Sequence, residues 1–261
     1  NQLPLFNGAS ENFLKPLDQY LNVKTKKNNN NQIIGGLFKS KHKSQLTFFD
    51  IGYPPEKKFS RCYQSGPLSF EYFLDGIKII SNSGFGDNIS DKAVLLSRLT
   101  ACQSTLTLNE TSVTNFERNK LINKVFGNSI KNSFKIYNLN VQNNEKIITC
   151  SAEHNGYEKK FGCVHKREII LEKENNYLKG SDHIFKKKDG IPIRYVFRFH
   201  INPELTVVKT MGGDSALIQL SKNKSLLFTV NNESLEIERS IFLGGKKILD
   251  STCITISGNL V

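Results

Sequence analysis

The sequence predicts an all-β chain: a large antiparallel two-sheet β-sandwich carrying one or two short helices. Three observations point there. Short apolar runs bounded by turn residues recur at intervals of about ten residues along most of the chain. Asp75-Gly76 stands between two such runs, which is the strongest local signal for a two-residue hairpin. Only residues 90–99 read as a helix, with a second expected near 114–124, too few for the helix–strand alternation of a parallel sheet.

Taken in order, residues 24–31 (KTKKNNNN) are polar and of low complexity, so 1–31 is expected to be an approach segment and 32–261 the β domain. Strand runs are expected at 33–38, 45–49, 68–74, 77–81 and 105–108, the third and fourth joined by Asp75-Gly76. Further runs follow at 147–152, 161–171, 177–180, 194–200, 205–209, 216–220, 226–230, 235–242 and 248–256.

Composition narrows the function classes. A chain of 261 residues can bury a core without disulfides or metals, so a stapled mini-protein is excluded. The balance of 36 Lys+Arg against 24 Asp+Glu gives a net charge of +12. Of the basic residues 29 are Lys and 7 are Arg, beside 28 Asn, and the Lys is dispersed apart from clusters at 24–27, 39–43 and 186–188. Nucleic-acid modules gather Arg with interleaved aromatics, so the charge favours an anionic glycan over nucleic acid. No run of 18 apolar residues is present, so no membrane span is expected. The start has neither an initiator Met nor a basic-then-apolar leader, and the chain is expected to be a piece of a longer protein. Five cysteines without a C-x-x-C pair fit buried free thiols.

Four stretches carry the residues with chemistry: 60–71 (SRCYQSGPLSFE), 80–84 (ISNSG), 99–108 (LTACQSTLTL) and 154–167 (HNGYEKKFGCVHKR). In this order they resemble the C-terminal β domain of the heparinase II/III-like family. There the first stretch reads Gly-His-x-His-x-Asp-x-Leu-Ser-Phe-Glu, the second ends in Asp-x-Gly and the third holds Ala-His-x-Thr-Leu. The likeness runs from about Leu3 to Leu260 and includes Phe199-His200-Ile201-Asn202-Pro203, where relatives show Phe-His-x-His-Pro.

The resemblance implies a bacterial polysaccharide lyase of two parts, a helical toroid and this β domain, acting by β-elimination on uronate-containing glycans. The periplasm is favoured over the cytoplasm. Family members bind zinc through the second His of the first motif, the Asp of the second and the His of the third. Here those positions hold Gln64, Asn82 and Gln103, and the first His position holds Cys62. Neutral amides are poor zinc ligands, so no zinc and no other cofactor is expected. The trio can close as a hydrogen-bonded staple, or can touch sugar together with Tyr63. Arg61 and Arg98 flank it, either for a bidentate carboxylate contact or for an ion pair with Glu71 or Asp91. His154 and Tyr157 are of the base type that lyases use and bracket Gly156, where a turn or bulge would place them together; the alternative for a His in such a strand-rich segment is a hydrogen-bonded structural residue. The expected partners are an acidic polysaccharide and the protein's own helical domain, not nucleic acid or membrane. Without that helical domain the chain is expected to be inactive.

Overall fold

The computed structural model describes residues 31–260 except 176, 188–191 and 232; residues 1–30, nearly all of the expected approach segment, lie outside the described residues. Period-two alternation builds the first sheet. In β3 (Gln45–Asp50) the inward set Gln45, Thr47 and Phe49 is buried while Leu46, Phe48 and Asp50 are half-exposed. The order along the chain begins β1 (Gln32–Ile34), β2 (Leu37–His42), β3, β4 (Phe70–Leu74) and β5 (Ile77–Ile80). It continues through α1 (Asp91–Ser97), β6 (Leu106–Leu108), α2 (Lys120–Phe126), β7 (Ile136–Asn143), β8 (Ile147–His154), α3 (Glu158–Phe161), β9 (Cys163–Glu172) and β10 (Tyr177–Lys186). Last come β11 (Ile193–Ile201), β12 (Thr206–Lys209), β13 (Ser215–Ser221), β14 (Lys224–Thr229), β15 (Glu236–Phe242) and β16 (Leu249–Leu260).

The sheets are antiparallel. A nine-stranded sheet runs β1-β2-β3-β4-β5-β11-β16-β15, with β6 also pairing β11; a four-stranded sheet runs β10-β9-β8-β7, and a three-stranded one β12-β13-β14. Both smaller sheets meet the same side of β11: Phe197 packs on His165 of β9, and Phe199 on Phe228 of β14. The expected sandwich is therefore present, with its second layer divided into two sheets, and one continuous apolar cluster joins all three.

Local chemistry explains where elements start and stop. The β4–β5 hairpin turns at Asp75 (φ 52) and Gly76 (φ 78), two left-handed residues in succession as a type I′ turn requires. The run expected at 33–38 is instead broken into β1 and β2, because Gly35 and Gly36 both take positive φ and fold it back on itself. Helix α1 is N-capped by Ser90, whose hydroxyl accepts the Ala93 N–H. Helix α2 starts later than expected because Asn119 caps it, accepting from Leu121 and Ile122, while Phe116 upstream bridges to Ile130. All five cysteines are free; Cys150, Cys163 and Cys253 are buried, whereas Cys62 is exposed, contrary to expectation.

Candidate functional site

The loop from Ser60 to Ser69 links the rim of the nine-stranded sheet to β4, and two arginines fix its path. Arg98, at the end of α1, donates from Nε to the Tyr63 carbonyl (2.9 Å) and from Nη2 to the Ser60 carbonyl (2.8 Å). Its guanidinium lies 4.1 Å from the Phe116 ring centroid. Burial lowers its pKa to about 10, a direction that fits a guanidinium held by carbonyls rather than by a carboxylate. The expected ion pair of Arg98 with Glu71 or Asp91 gives way to this clamp, and Glu71 instead receives Lys78 Nζ at 2.7 Å. Arg167 holds the far end of the loop, donating from Nη1 to the carbonyls of Leu68 (2.9 Å) and Ser104 (2.7 Å). Leu68 sits at φ 58, a costly conformation for a branched residue, and the fixed carbonyl helps to keep it there.

Within this frame the three amides come together. Gln103 Nε2 donates to Gln64 Oε1 (3.2 Å) and to the Ser97 carbonyl (2.9 Å). Asn82, at φ 46, accepts the Ser104 N–H on Oδ1 at 2.6 Å, so it joins the pair through the residue after Gln103. Asn82 Nδ2 is buried without a partner among the described residues. All three side chains are buried. Of the other residues singled out in the sequence, Arg61 is exposed and Tyr63 half-buried. Burial, then the neighbouring Asp50, raises the Tyr63 phenol well above its ordinary pKa, and burial pushes the Asp50 carboxyl up to about 7.

A second polar cluster lies between the layers. The Gly156 N–H donates to His154 Nδ1 (3.1 Å), so His154 Nε2 carries the proton and donates to His165 Nδ1 (3.2 Å). His165 Nε2 in turn donates to Asp182 Oδ1 (2.6 Å), and Arg167 closes the chain with bonds from Nε (2.8 Å) and Nη2 (3.0 Å) to the two Asp182 oxygens. Burial holds both histidines below their ordinary pKa and therefore neutral; His165 and Arg167 add to it at His154, whereas at His165 the Asp182 carboxylate opposes it without reversing it. Despite its burial, Asp182 is brought down to about 2 by Arg167 and His165. Gly156 is required here, since a Cβ would meet Val113 Cγ1 at 2.2 Å. The turn does bring Tyr157 and His154 together, with ring centroids 5.8 Å apart. Yet both are essentially without solvent contact, and the Tyr157 hydroxyl reaches the Leu106 (2.9 Å) and Thr111 (3.0 Å) carbonyls. Burial raises its pKa, so it is a neutral hydrogen-bond donor. His183 is exposed and stacked beside Phe185, while His42 is half-buried with Nε2 on the Lys173 carbonyl.

The family description Heparinase II/III-like, C-terminal, matches residues 35–259. The chain belongs to this family. Among solved structures it is similar to the heparan sulfate lyase HepC from Pedobacter heparinus, with a TM-score of 0.71 at 14% identity over 96% of this chain and 40% of that one. It is also similar to a crystal structure of heparinase III, with a TM-score of 0.70 at 14% identity over 98% and 42%. The chain thus spans about two fifths of these proteins, and at such identity the likeness concerns the fold. No curated protein matches it.

The sequence resemblance implies zinc-ligand positions at Gln64, Asn82 and Gln103, and the chemistry present there can be tested against that metal. The Gln64 oxygen already accepts from Gln103 and the Asn82 oxygen from a backbone N–H, and the remaining Asn82 atom is a donor. This donor set does not fit zinc, which takes imidazole, thiolate and carboxylate. Among the described residues no group of three His, Cys, Asp or Glu side chains is placed to hold a metal. Two depressions open on the described surface, neither of them lined by the three amides. One, of about 560 Å³, is lined by His200, Arg198, Arg239 and Ser240; the other, of about 650 Å³, lies between α1 and the segment 107–118. Sequence reading missed Arg167, Asp182 and the larger groove. A signal existed for Arg167, which falls in the buried phase of β9 with Cys163, His165, Ile169 and Leu171. Its partner Asp182 faces it across a hairpin, and one-dimensional spacing does not show that pairing.

Proposed function

We propose that this chain is the β domain of a polysaccharide-lyase-type protein that works with a helical domain on uronate-containing glycans. The family match over residues 35–259 carries the proposal. In β-elimination a base removes the C5 proton of the uronate, the electron pair forms the C4–C5 double bond, and the glycosidic oxygen leaves with a proton from an acid. The neighbouring carboxylate must be neutralised for the C5 proton to be acidic enough. Arg61, exposed on the loop, is suited to meet that carboxylate, with Tyr63 beside it. Gln64, Asn82, Arg98 and Gln103 shape the loop from beneath. His154 and Tyr157 are covered by the core, so the base is assigned to the helical domain and the isolated chain is inactive. In this reading the amide trio takes the place of the zinc that the resemblance implies, as the fastener of the loop.

The same geometry favours a second function: a catalytically decayed carbohydrate-binding or scaffolding domain. The observation behind it is that the amides bond one another and the Tyr/His pair is buried. The ultraviolet absorbance of newly formed unsaturated uronates decides between the two. Measured with the complete gene product on heparin-like, alginate-like and other acidic glycans, the lyase assignment expects a rise on at least one of them. It expects none with the 261-residue chain alone. No rise on any glycan would leave the decayed domain; turnover by the isolated chain, lost in Tyr157→Phe or Tyr63→Phe, would overturn the assignment of the base.

A further inference from the structure

We infer that the groove between α1 and the segment 107–118 is a binding site for one anionic sugar unit, held by Arg118 and Lys92. The ligand class rests on the acidic-glycan function proposed above; the site itself rests on its own geometry. Its volume of about 650 Å³ lies within the usual range for small-ligand sites. One wall is a single face of α1 and its exit: Lys92, Leu95, Leu96 and Leu99 follow the i, i+3, i+4, i+7 spacing that stacks side chains on one side of a helix. Leu95 and Leu96 are 38% and 36% exposed, an apolar strip left open to solvent. Opposite it stands Phe116, whose ring is already fixed by the Arg98 guanidinium. Sugars offer apolar C–H faces to surfaces of this kind.

The charges in the groove are unbalanced. Glu110 is committed to Arg198, with Nη2 at 2.9 Å. Glu117 accepts the N–H groups of Arg118 (3.0 Å) and Asn119 (2.9 Å) and pairs with Lys131 at 3.4 Å. Both carboxylates are thus already compensated. Lys92 and Arg118 also line the groove, are exposed, and pair with no carboxylate among the described residues. An Arg fork matches a carboxylate or a sulfate in bidentate fashion, and the Lys adds a second positive charge. Hydrogen-bonding capacity is also unspent: the groove residues Thr114 and Asn123 carry side-chain oxygens, Oγ1 and Oδ1, that are buried without a partner among the described residues. A hydroxyl-bearing ligand seated over them can supply what the protein does not. Apolar strip, paired cations and unspent hydroxyl and amide oxygens together match a sugar bearing a carboxylate or a sulfate.

Calorimetric titration of the purified 261-residue protein tests this, with a glucuronate-containing disaccharide, a sulfated disaccharide lacking uronate, and cellobiose as the neutral probe. At least one acidic disaccharide should bind saturably and at least tenfold more tightly than cellobiose. Arg118→Ala should weaken it tenfold or more, Lys92→Ala by a smaller factor, and Leu96→Trp, which fills the groove, should abolish it. All three positions are exposed, and unchanged melting temperatures would show that the variants fold. Absence of saturable binding, equal binding of cellobiose, or an unaltered affinity in Arg118→Ala would overturn the site. Whichever acid binds names the group recognised. Elimination by the complete gene product that survives Leu96→Trp unchanged would remove the groove and leave the lyase function standing. Arg118-dependent binding without elimination on any glycan would do the reverse.

Discussion

The ionic chain between the layers and the amide cluster under the loop both bury polar side chains, but they satisfy them differently. In the first, every hydrogen-bonding atom from Gly156 through His154, His165 and Asp182 to Arg167 has a partner, and a full charge pair ends the chain. In the second, neutral amides share bonds and one donor, Asn82 Nδ2, is left over. The first should therefore be sensitive to pH and strongly cooperative, the second indifferent to pH and weaker. Under the proposed function the loop is fastened by neutral bonds where the resemblance implies an ion, while a charged network in the adjoining core carries its other end.

Acid should break the comparison most sharply. His154, His165 and also His200, which burial holds at about 4, are all depressed in the folded state. The unfolded chain then takes up protons first, so stability is complete above about pH 6.5 and falls as pH drops toward the folded values. Between pH 7 and pH 5 His200 alone, with its folded value at about 4, accounts for a loss of about 2 kcal/mol, and His154 and His165 add to it in the same direction. Urea unfolding at the two pH values measures the sum; equal stabilities would show that the histidines are not neutral and buried. The next largest effect is expected from Arg167→Ala. It strands Asp182 and frees the Leu68 and Ser104 carbonyls, at a cost of about 3–5 kcal/mol in the same unfolding experiment.

Much of this fold is legible in the sequence, and the exceptions have physical causes. Asp75-Gly76 announces its turn because few other pairs tolerate two left-handed residues in succession. Strands with one buried face, such as β13 with Ala216, Ile218 and Leu220 inside, show themselves by alternation. Strand β7 does not: after Ile136 its side chains are half-buried or exposed, and it exists because β8 offers it a ladder. The division of the second layer into two sheets is equally silent, since alternation says that a face is buried but not against what. At the candidate site the motif register points correctly to Gln64 and Gln103 as neighbours. It does not show that Arg98 would clamp carbonyls, because a guanidinium's partners are chosen in three dimensions.

Smaller effects sharpen the contrast. Gln103→Ala removes the donor to Gln64 and to the Ser97 carbonyl and should cost about 1–2 kcal/mol, by an amount that is the same at pH 7 and pH 5. A cost that grows with acidity would mean that the amide cluster is coupled to the ionic one. Ser90→Ala, which removes the α1 cap beside the groove, should cost about 1 kcal/mol and leave both clusters intact.

We propose that amides, not an ion, fasten the loop of this heparinase-type domain. Metal analysis of the purified protein by inductively coupled plasma mass spectrometry, paired with melting curves in added zinc and in chelator, tests it most directly. The account predicts no stoichiometric zinc and the same melting temperature in both. One zinc per chain, lost in Gln64→Ala together with a chelator-sensitive melting temperature, would contradict it.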